Sequence, residues 1–464
     1  MINNKKIVLF EQKMRSTNTP DIAIQIFKYY YSQLLDGNTG FIRTADIEPV
    51  VSPLKADDLP ERLQAIGRDA LSKTVTIKLN GGLGTSMGLD SAKSLLPVKE
   101  GLAFLDIIAQ QSLGNNSHLL LMNSFSTRDD SLALLKQKYP KLLERNLDVD
   151  FLQHKVPKIN KDDFLPAAWA KNPELEWCPP GHGNIYPALV TSNMLDQFLE
   201  SGFKYAFIAN ADNLGAVVDE IILGYFAEND IPFLMEVTKR TEMDRKGGFP
   251  VRHKSGELVL WETAQCHPDE VDEYQNINRF THSSTNNIWV NLEKLKVEME
   301  RRNNNLQLTM IRNEKTVDPQ DSSSPKVYQL ETAMGAAVSV FTGAEIIEVS
   351  RRRFSPVKST NELLAVRSDA YILTSDYRIV IHPERELPPP VIFLDSKYYK
   401  MYYDLDARFP SEVPSLIDCE KLEVEGDVLF GENVKLKGNV KIINTTKEQV
   451  RIENMTLENE EWRV

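Results

Sequence analysis

Lys78-Leu79-Asn80-Gly81-Gly82-Leu83-Gly84-Thr85-Ser86-Met87-Gly88, with Lys93-Ser94-Leu95-Leu96-Pro97 close behind, decides how this chain is read. Ahead of it, Val75, Ile77 and Leu79 alternate with Thr74, Thr76 and Lys78, the period of a β-strand. After it, Phe104, Leu105, Ile107 and Ile108 begin a helical pattern. A glycine-dense loop therefore leaves a strand and passes a lysine on its way to a helix. Glycine accepts positive φ and leaves the backbone bare, so successive N–H groups can converge on an anion, a phosphate above all. Two familiar templates fail. The dinucleotide pattern G-x-G-x-x-G needs a glycine one residue before Gly88, and the Walker pattern needs a lysine where Leu89 stands. A tight turn without a ligand is the alternative, but four glycines within residues 81–88 and a nearby lysine favour binding.

Outward from this loop, strand-like and helical runs alternate. His118 to Met122 is an apolar strand ending in Asn123-Ser124, and Thr127 with Asp130 starts a helix that runs to Pro140. Val149 to Leu152 is a short strand ending near Gln153. Tyr205 to Ala209 is a buried strand ending in Asn210-Ala211-Asp212-Asn213, followed by a helix over Val217 to Phe226 and a strand over Ile231 to Val237. This βα alternation predicts an α/β fold with an open, Rossmann-like, mainly parallel sheet and ligands at the carboxyl ends of its strands. The polar clusters after Leu79, Leu152 and Ala209 all fall at such ends, which predicts one shared cleft. Val251 to Leu260 reads as a hairpin around Ser255-Gly256, an antiparallel insertion expected to join the sheet.

Residues 1–73 read as a helical preamble to a catalytic unit over 74–375. Thr19-Pro20-Asp21 would start a helix, with Thr19 as cap, and Asp36-Gly37 would stop it. Residues 376–464 are a different object. Leu422, Val428, Val434 and Val440 lie six residues apart, as do Val424, Phe430, Leu436 and Ile442, punctuated by Gly426, Gly431 and Gly438. A sustained hexad predicts a parallel β-helix, with a small antiparallel sheet as the alternative.

Composition narrows the partners. With 54 basic and 66 acidic residues the net charge is −12, which argues against nucleic acid and anionic membranes, so an anionic substrate needs a local positive cluster. Cys178, Cys266 and Cys419 are widely spaced, without metal-site spacing, and read as reduced thiols in a cytoplasmic protein. No stretch has the pattern of a secretory signal or the length of a membrane span.

The loop from Leu79 to Gly88, followed by Lys93-Ser94, closely resembles the nucleotide-binding loop of the eukaryotic-type UTP–glucose-1-phosphate uridylyltransferases. That resemblance implies a nucleotide-diphospho-sugar transferase fold with a left-handed C-terminal β-helix. It also implies Mg2+ as cofactor, and UTP, glucose 1-phosphate, UDP-glucose and pyrophosphate as ligands. Leu79, Asn80, Gly81 and Gly82 would meet UTP, and Lys93 its phosphates. Asn210-Ala211-Asp212 resembles the family's Asn-x-Asp, which gives Asp212 to the metal and the nucleotide and Asn210 to the sugar phosphate; from the residues alone, Asp212 could equally cap a helix. Pro179-Pro180-Gly181-His182-Gly183 resembles a family loop with Gly181 against the uracil and His182 near the sugar phosphate. Gln153 has an amide suited to a pyrimidine edge. Lys246-Gly247-Gly248, Glu262 and Asn286-Asn287 resemble the sugar pocket. Arg353-Phe354-Ser355-Pro356-Val357-Lys358 resembles the loop whose lysine reaches the phosphates from the other side, making Lys358 and Lys93 the catalytic pair. Gln329 to Ala337 also resembles the family and reads as packing around a close helix approach. Relatives self-associate into homo-oligomers through the β-helix, but charged Glu453, Glu458 and Glu460 would discourage edge pairing here. Another sugar 1-phosphate, galactose or N-acetylglucosamine, is the alternative substrate; a non-catalytic UDP-sugar scaffold is the alternative class.

Overall fold

Eight strands carry the site: β1 (Leu54–Lys55), β2 (Thr74–Asn80), β3 (His118–Asn123), β4 (Asp150–Leu152), β5 (Tyr205–Asn210), β6 (Phe233–Lys239), β7 (His282–Asn291) and β8 (Glu345–Glu348). In this computed structural model, which describes residues 2–241, 244–245 and 247–464 (without the side chains of residues 2–4 and 86), they form one sheet ordered β1-β8-β6-β7-β5-β2-β3-β4. Every neighbouring pair is parallel except the two made by β7, which alone runs backwards between β6 and β5. Alternate residues feed two cores. Ala206, Ile208, Met235, Val237, Ile288 and Val290 face one layer, while Phe207, Ala209, Leu234 and Trp289 face the other. Both faces are thus covered, as parallel strands require.

The largest departures from the sequence reading lie outside the parallel strands. The preamble holds the helices Ile2–Arg15, Asp21–Leu35 and Leu63–Leu71, but it also supplies two strands. One is β1, at the sheet edge. The other, Ile47–Pro49, pairs with the hairpin Phe249–His253/Leu258–Trp261. That hairpin therefore builds a separate three-stranded sheet instead of joining the main one. The antiparallel member of the main sheet is β7, whose polar first half carries no alternation to betray a strand. At Asp21–Leu35, Pro20 itself is the cap residue, with no side-chain bond from Thr19, and Gly37 turns the chain at φ +84.

Helix Leu63–Leu71 locks onto helix Glu220–Glu228 through glycine. A Cβ on Gly67 would stand 1.7 Å from the main-chain O of Glu220, and one on Gly224 would stand 2.0 Å from that of Leu63. Backbone cannot yield as a flexible side chain does. Gly67→Ala gains about 1 kcal/mol in helix propensity, yet overpacking costs about 1–3 kcal/mol and more where backbone must shift. The expected result is a lower thermal midpoint despite the better helix former, read by calorimetry.

After residue 390 the strands Val391–Leu394, Cys419–Glu425, Val434–Ile443, Met455–Glu458 and Glu461–Arg463 pair only in parallel. Leu422 lies beside Val440, Leu436 beside Leu457 and Ile442 beside Trp462. All eight hexad positions are buried. Their core continues across residue 376 to Met87, Leu96, Leu214 and Val357, so the C-terminal strands and the glycine loop share one apolar cluster. At Gly88 (φ +79) a Cβ would meet Met401 and Tyr403 at 3.0 Å.

Candidate functional site

The glycine loop leaves β2 and folds back on itself: Leu83 bridges Ala92, and the N–H of Lys93 donates to the O of Gly82 (3.1 Å). Gly81 lies against Gln153: a Cβ there would stand 2.4 Å from its amide nitrogen, which would have to swing away. Gly82 faces open space. Asn80 differs from its neighbours. Its side chain is buried and donates to Asn123 Oδ1 (2.7 Å) and Ser131 Oγ (2.8 Å), so it offers a ligand only its main chain. Leu79 lies opposite Asn210 in the β2–β5 ladder.

Gln153 is joined to the Pro-Pro-Gly-His-Gly loop through the residue after it. Asn184 accepts from the N–H of His154 (2.7 Å) and donates to its Nδ1 (2.9 Å). The loop is then pressed onto strand Lys326–Thr332: Cβ atoms on Gly181 (φ +79) and Gly183 would each lie 2.4 Å from Thr332 oxygens. His182 accepts at Nδ1 from the main-chain N–H of Met334 (3.1 Å). Burial lowers its pKa to about 4, so near pH 7 the ring is neutral and its proton sits on Nε2. It is a hydrogen-bond donor rather than a cation. The segment Gln329–Ala337, read as packing around a helix approach, in fact seats this histidine; Gly335 meets side chains of Leu260 and Met235. Its resemblance to the family was the available signal for Thr332 and Met334.

At the end of β5, Asp212 Oδ2 accepts from Lys93 Nζ at 2.6 Å, and the main-chain O of Asp212 accepts from the N–H of Val357 (3.1 Å). The pair is only partly covered, with side chains 17 % and 22 % exposed. Asp212 does not cap a helix; the helix beyond it begins at Glu220 and is capped by Asp219. Lys358 is exposed, with Nζ 5.9 Å over the ring of Phe354. The glycine loop, the β5 turn and the Lys358 loop thus meet, two lysine-bearing segments flanking one carboxylate.

Farther along the cleft, Gly248 abuts Glu262, whose carboxylate oxygens would be 2.5–2.6 Å from a Cβ there. The O of Gly248 accepts from the N–H of Ser284 on β7 (2.9 Å). Opposite Glu236, β7 bulges between Ser284 and Ile288, placing Asn286 at φ +56. Among the described residues the buried Oδ1 of Asn286 and Oγ of Ser283 have no hydrogen-bond partner, an arrangement suited to polar ligand groups. Lys246 lies outside the described residues. Burial raises the pKa of Glu262 to about 7, against a downward pull from Lys358. A carboxyl raised in the fold contributes stability below its ordinary pKa and loses it as pH rises through about 7. Glu262→Gln is therefore expected to raise the thermal midpoint at pH 8, with the gain shrinking toward pH 5.

Among the described residues no three His, Cys, Asp or Glu side chains come together as a metal cage. A divalent ion at Asp212 would have at most two such side chains among the described residues and draw its other ligands from phosphates and water. That donor set fits Mg2+.

Fold and site together define an α/β nucleotidyltransferase that works on phosphorylated sugars. The profile of the family described as "UTP--glucose-1-phosphate uridylyltransferase" matches residues 24–437. The chain is 41% identical over 464 residues to a protein of that name from Solanum tuberosum, covering 97% of this chain and 93% of the other. It is 38% identical over 391 residues to the Saccharomyces cerevisiae protein of the same name, covering 83% and 76%. A mutant UDP-glucose pyrophosphorylase from Leishmania major, solved in complex with UDP-glucose, superposes with a TM-score of 0.93 at 40% identity, covering 99% of both chains. The chain belongs to the UTP–glucose-1-phosphate uridylyltransferase family.

Proposed function

We propose that this chain converts UTP and glucose 1-phosphate reversibly into UDP-glucose and pyrophosphate. The observation that carries the reading is the meeting of the glycine loop, Lys93–Asp212 and the Lys358 loop at the carboxyl ends of β2 and β5. An oxygen of glucose 1-phosphate attacks the α-phosphorus of UTP in line, and the bond to the pyrophosphate oxygen breaks. A phosphate dianion is already nucleophilic, so no general base and no covalent intermediate are required. Catalysis is positioning plus charge neutralisation.

Main-chain groups of Leu79, Asn80, Gly81 and Gly82, with Gln153 and Gly181, hold the base and phosphates. Asp212 would hold Mg2+, which would supply positive charge against that of the phosphates. Lys93 and Lys358 neutralise from opposite sides. The neutral His182 donates from Nε2, beside Asn210, to the sugar phosphate, and Gly248, Glu262 and Asn286 read the hexose hydroxyls. On this assignment Glu262→Gln also raises KM for glucose 1-phosphate more than KM for UTP.

The C-terminal strands support a parallel β-helix through their exclusively parallel pairing and the three hexads between Leu422 and its neighbour Val440; left-handedness and homo-oligomerisation through it follow the family resemblance. Among the described residues no helix is long and apolar enough to cross a membrane, and we place the protein in the cytoplasm.

The test is pyrophosphate release from UTP and Mg2+ across glucose, galactose and N-acetylglucosamine 1-phosphates, with UDP-glucose binding followed in parallel. Preference for glucose 1-phosphate is expected. Faster turnover of another sugar moves the assignment to that substrate. UDP-glucose binding without release from any sugar leaves a scaffold and ends the enzyme reading.

A further inference from the structure

Lys358 is exposed, so its own side chain does little to fix where its ammonium stands. Its backbone is fixed from behind. Arg353, five residues earlier, donates from Nε (2.8 Å) and Nη2 (2.6 Å) to the fully buried carboxylate of Glu236, and from Nη2 to the O of Val217 (2.9 Å). Glu236 also accepts from Asn287 Nδ2 and Trp289 Nε1, both at 2.9 Å. A buried carboxylate supplied with donors on both oxygens is a stiff anchor.

Between this anchor and Asp212 stands Asn213, 3% exposed. Its Nδ2 donates to Asn287 Oδ1 and to the main-chain O of Arg353, each at 3.1 Å. Its Oδ1 accepts from the N–H of Gly215 (3.2 Å) and of Ser355 (2.9 Å). The main chain repeats the stitch: Asn213 bridges Pro356, and the N–H of Val357 donates to the O of Asp212. One planar amide thus clamps the segment that ends in Lys358 to the turn that presents Asp212. Only an amide suits the place. An aspartate would turn a carboxylate oxygen toward two carbonyl oxygens, and an apolar side chain would leave buried donors and acceptors unpaired.

We infer that Asn213 is a positioning residue for the transfer reaction, fixing the Lys358 backbone relative to Asp212 and Lys93. The inference rests on the role proposed above for Lys358. Misplacing a charge by about 1 Å costs about 100-fold in rate. Asn213→Ala is therefore expected to lower kcat by about 10- to 100-fold, with KM for both substrates and the affinity for UDP-glucose nearly unchanged.

The deciding measurement is a double-mutant cycle on full-length protein: Asn213→Ala, Lys358→Ala and the pair. If Asn213 acts through Lys358, the double variant is no slower than Lys358→Ala within about threefold. Penalties that multiply, or a loss that appears as weakened UDP-glucose binding, overturn the inference while Lys358 keeps its role. Normal turnover of Lys358→Ala alone removes the role of Lys358, and the inference with it. Should Asn213→Ala lack a cooperative thermal transition, Asn213→Ser takes its place in the cycle. Its hydroxyl can still accept from Ser355, and the same non-additivity is expected.

Discussion

Lys358→Ala is expected to turn over about 10²–10³-fold more slowly than the parent while still binding UDP-glucose. The lysine is exposed and stands over the ring of Phe354, so its loss opens no cavity. The fold is held by Arg353 and Asn213 behind it, and the thermal midpoint should scarcely move. On the role proposed for Lys358, what disappears is a positive charge beside the phosphorus, worth most when charge builds on the leaving pyrophosphate. Lys358→Arg keeps the charge but spreads it over a planar fork, and only partial recovery is expected. A second signature follows from Glu262, whose pKa Lys358 holds down. Without the lysine that carboxyl titrates higher still, so residual activity should show a pH profile displaced toward alkali. Stopped-flow or coupled assays of pyrophosphate release between pH 6 and 9 would read both effects.

Asp212→Asn should be more damaging, by about 10³-fold or more in kcat. The amide keeps the shape of the carboxylate, and the main-chain O of residue 212 still accepts from Val357. A partly exposed ion pair contributes only about 0–1 kcal/mol, so unfolding cannot explain the loss. Two things change at once: Lys93 loses its ion pair at 2.6 Å, and the carboxylate proposed to hold a divalent ion is gone. Mn2+ binding in the presence of UTP, followed by its electron paramagnetic resonance signal, separates these causes. Weakened Mn2+ binding supports Asp212 as ligand. Unchanged Mn2+ affinity with lost turnover would reassign it to steering Lys93.

Much of this could be read in the residues because the signals are local. The glycine loop follows its strand within a few positions, and the hexad core of residues 422–442 is periodic. What escaped reading depends on distant partners. Nothing in Ile47–Pro49 announces that it pairs with residues 251–253, far down the chain. β7 begins His282-Ser283-Ser284-Thr285-Asn286-Asn287, polar throughout though mostly buried, because His282, Thr285 and Asn287 bond to Glu348, Glu236 and Asn213 from distant segments. Asn80 looks like a ligand contact by position in its motif, but the side chain turns away to Asn123 and Ser131. Thr332 and Met334 matter through two oxygens, each pressed on one glycine, and one main-chain N–H, features that no sequence motif announces.

The Gly67–Gly224 crossing bears on how this protein could be recombined. Each glycine makes room for the other helix's backbone, so the two positions form one lock shared by segments far apart in the chain. A chimera that takes its N-terminal segment from another chain will seat it only if the donor brings glycine at the matching place and the recipient retains Gly224. The N-terminal segment is in that sense not a detachable module; it is keyed to its own enzyme.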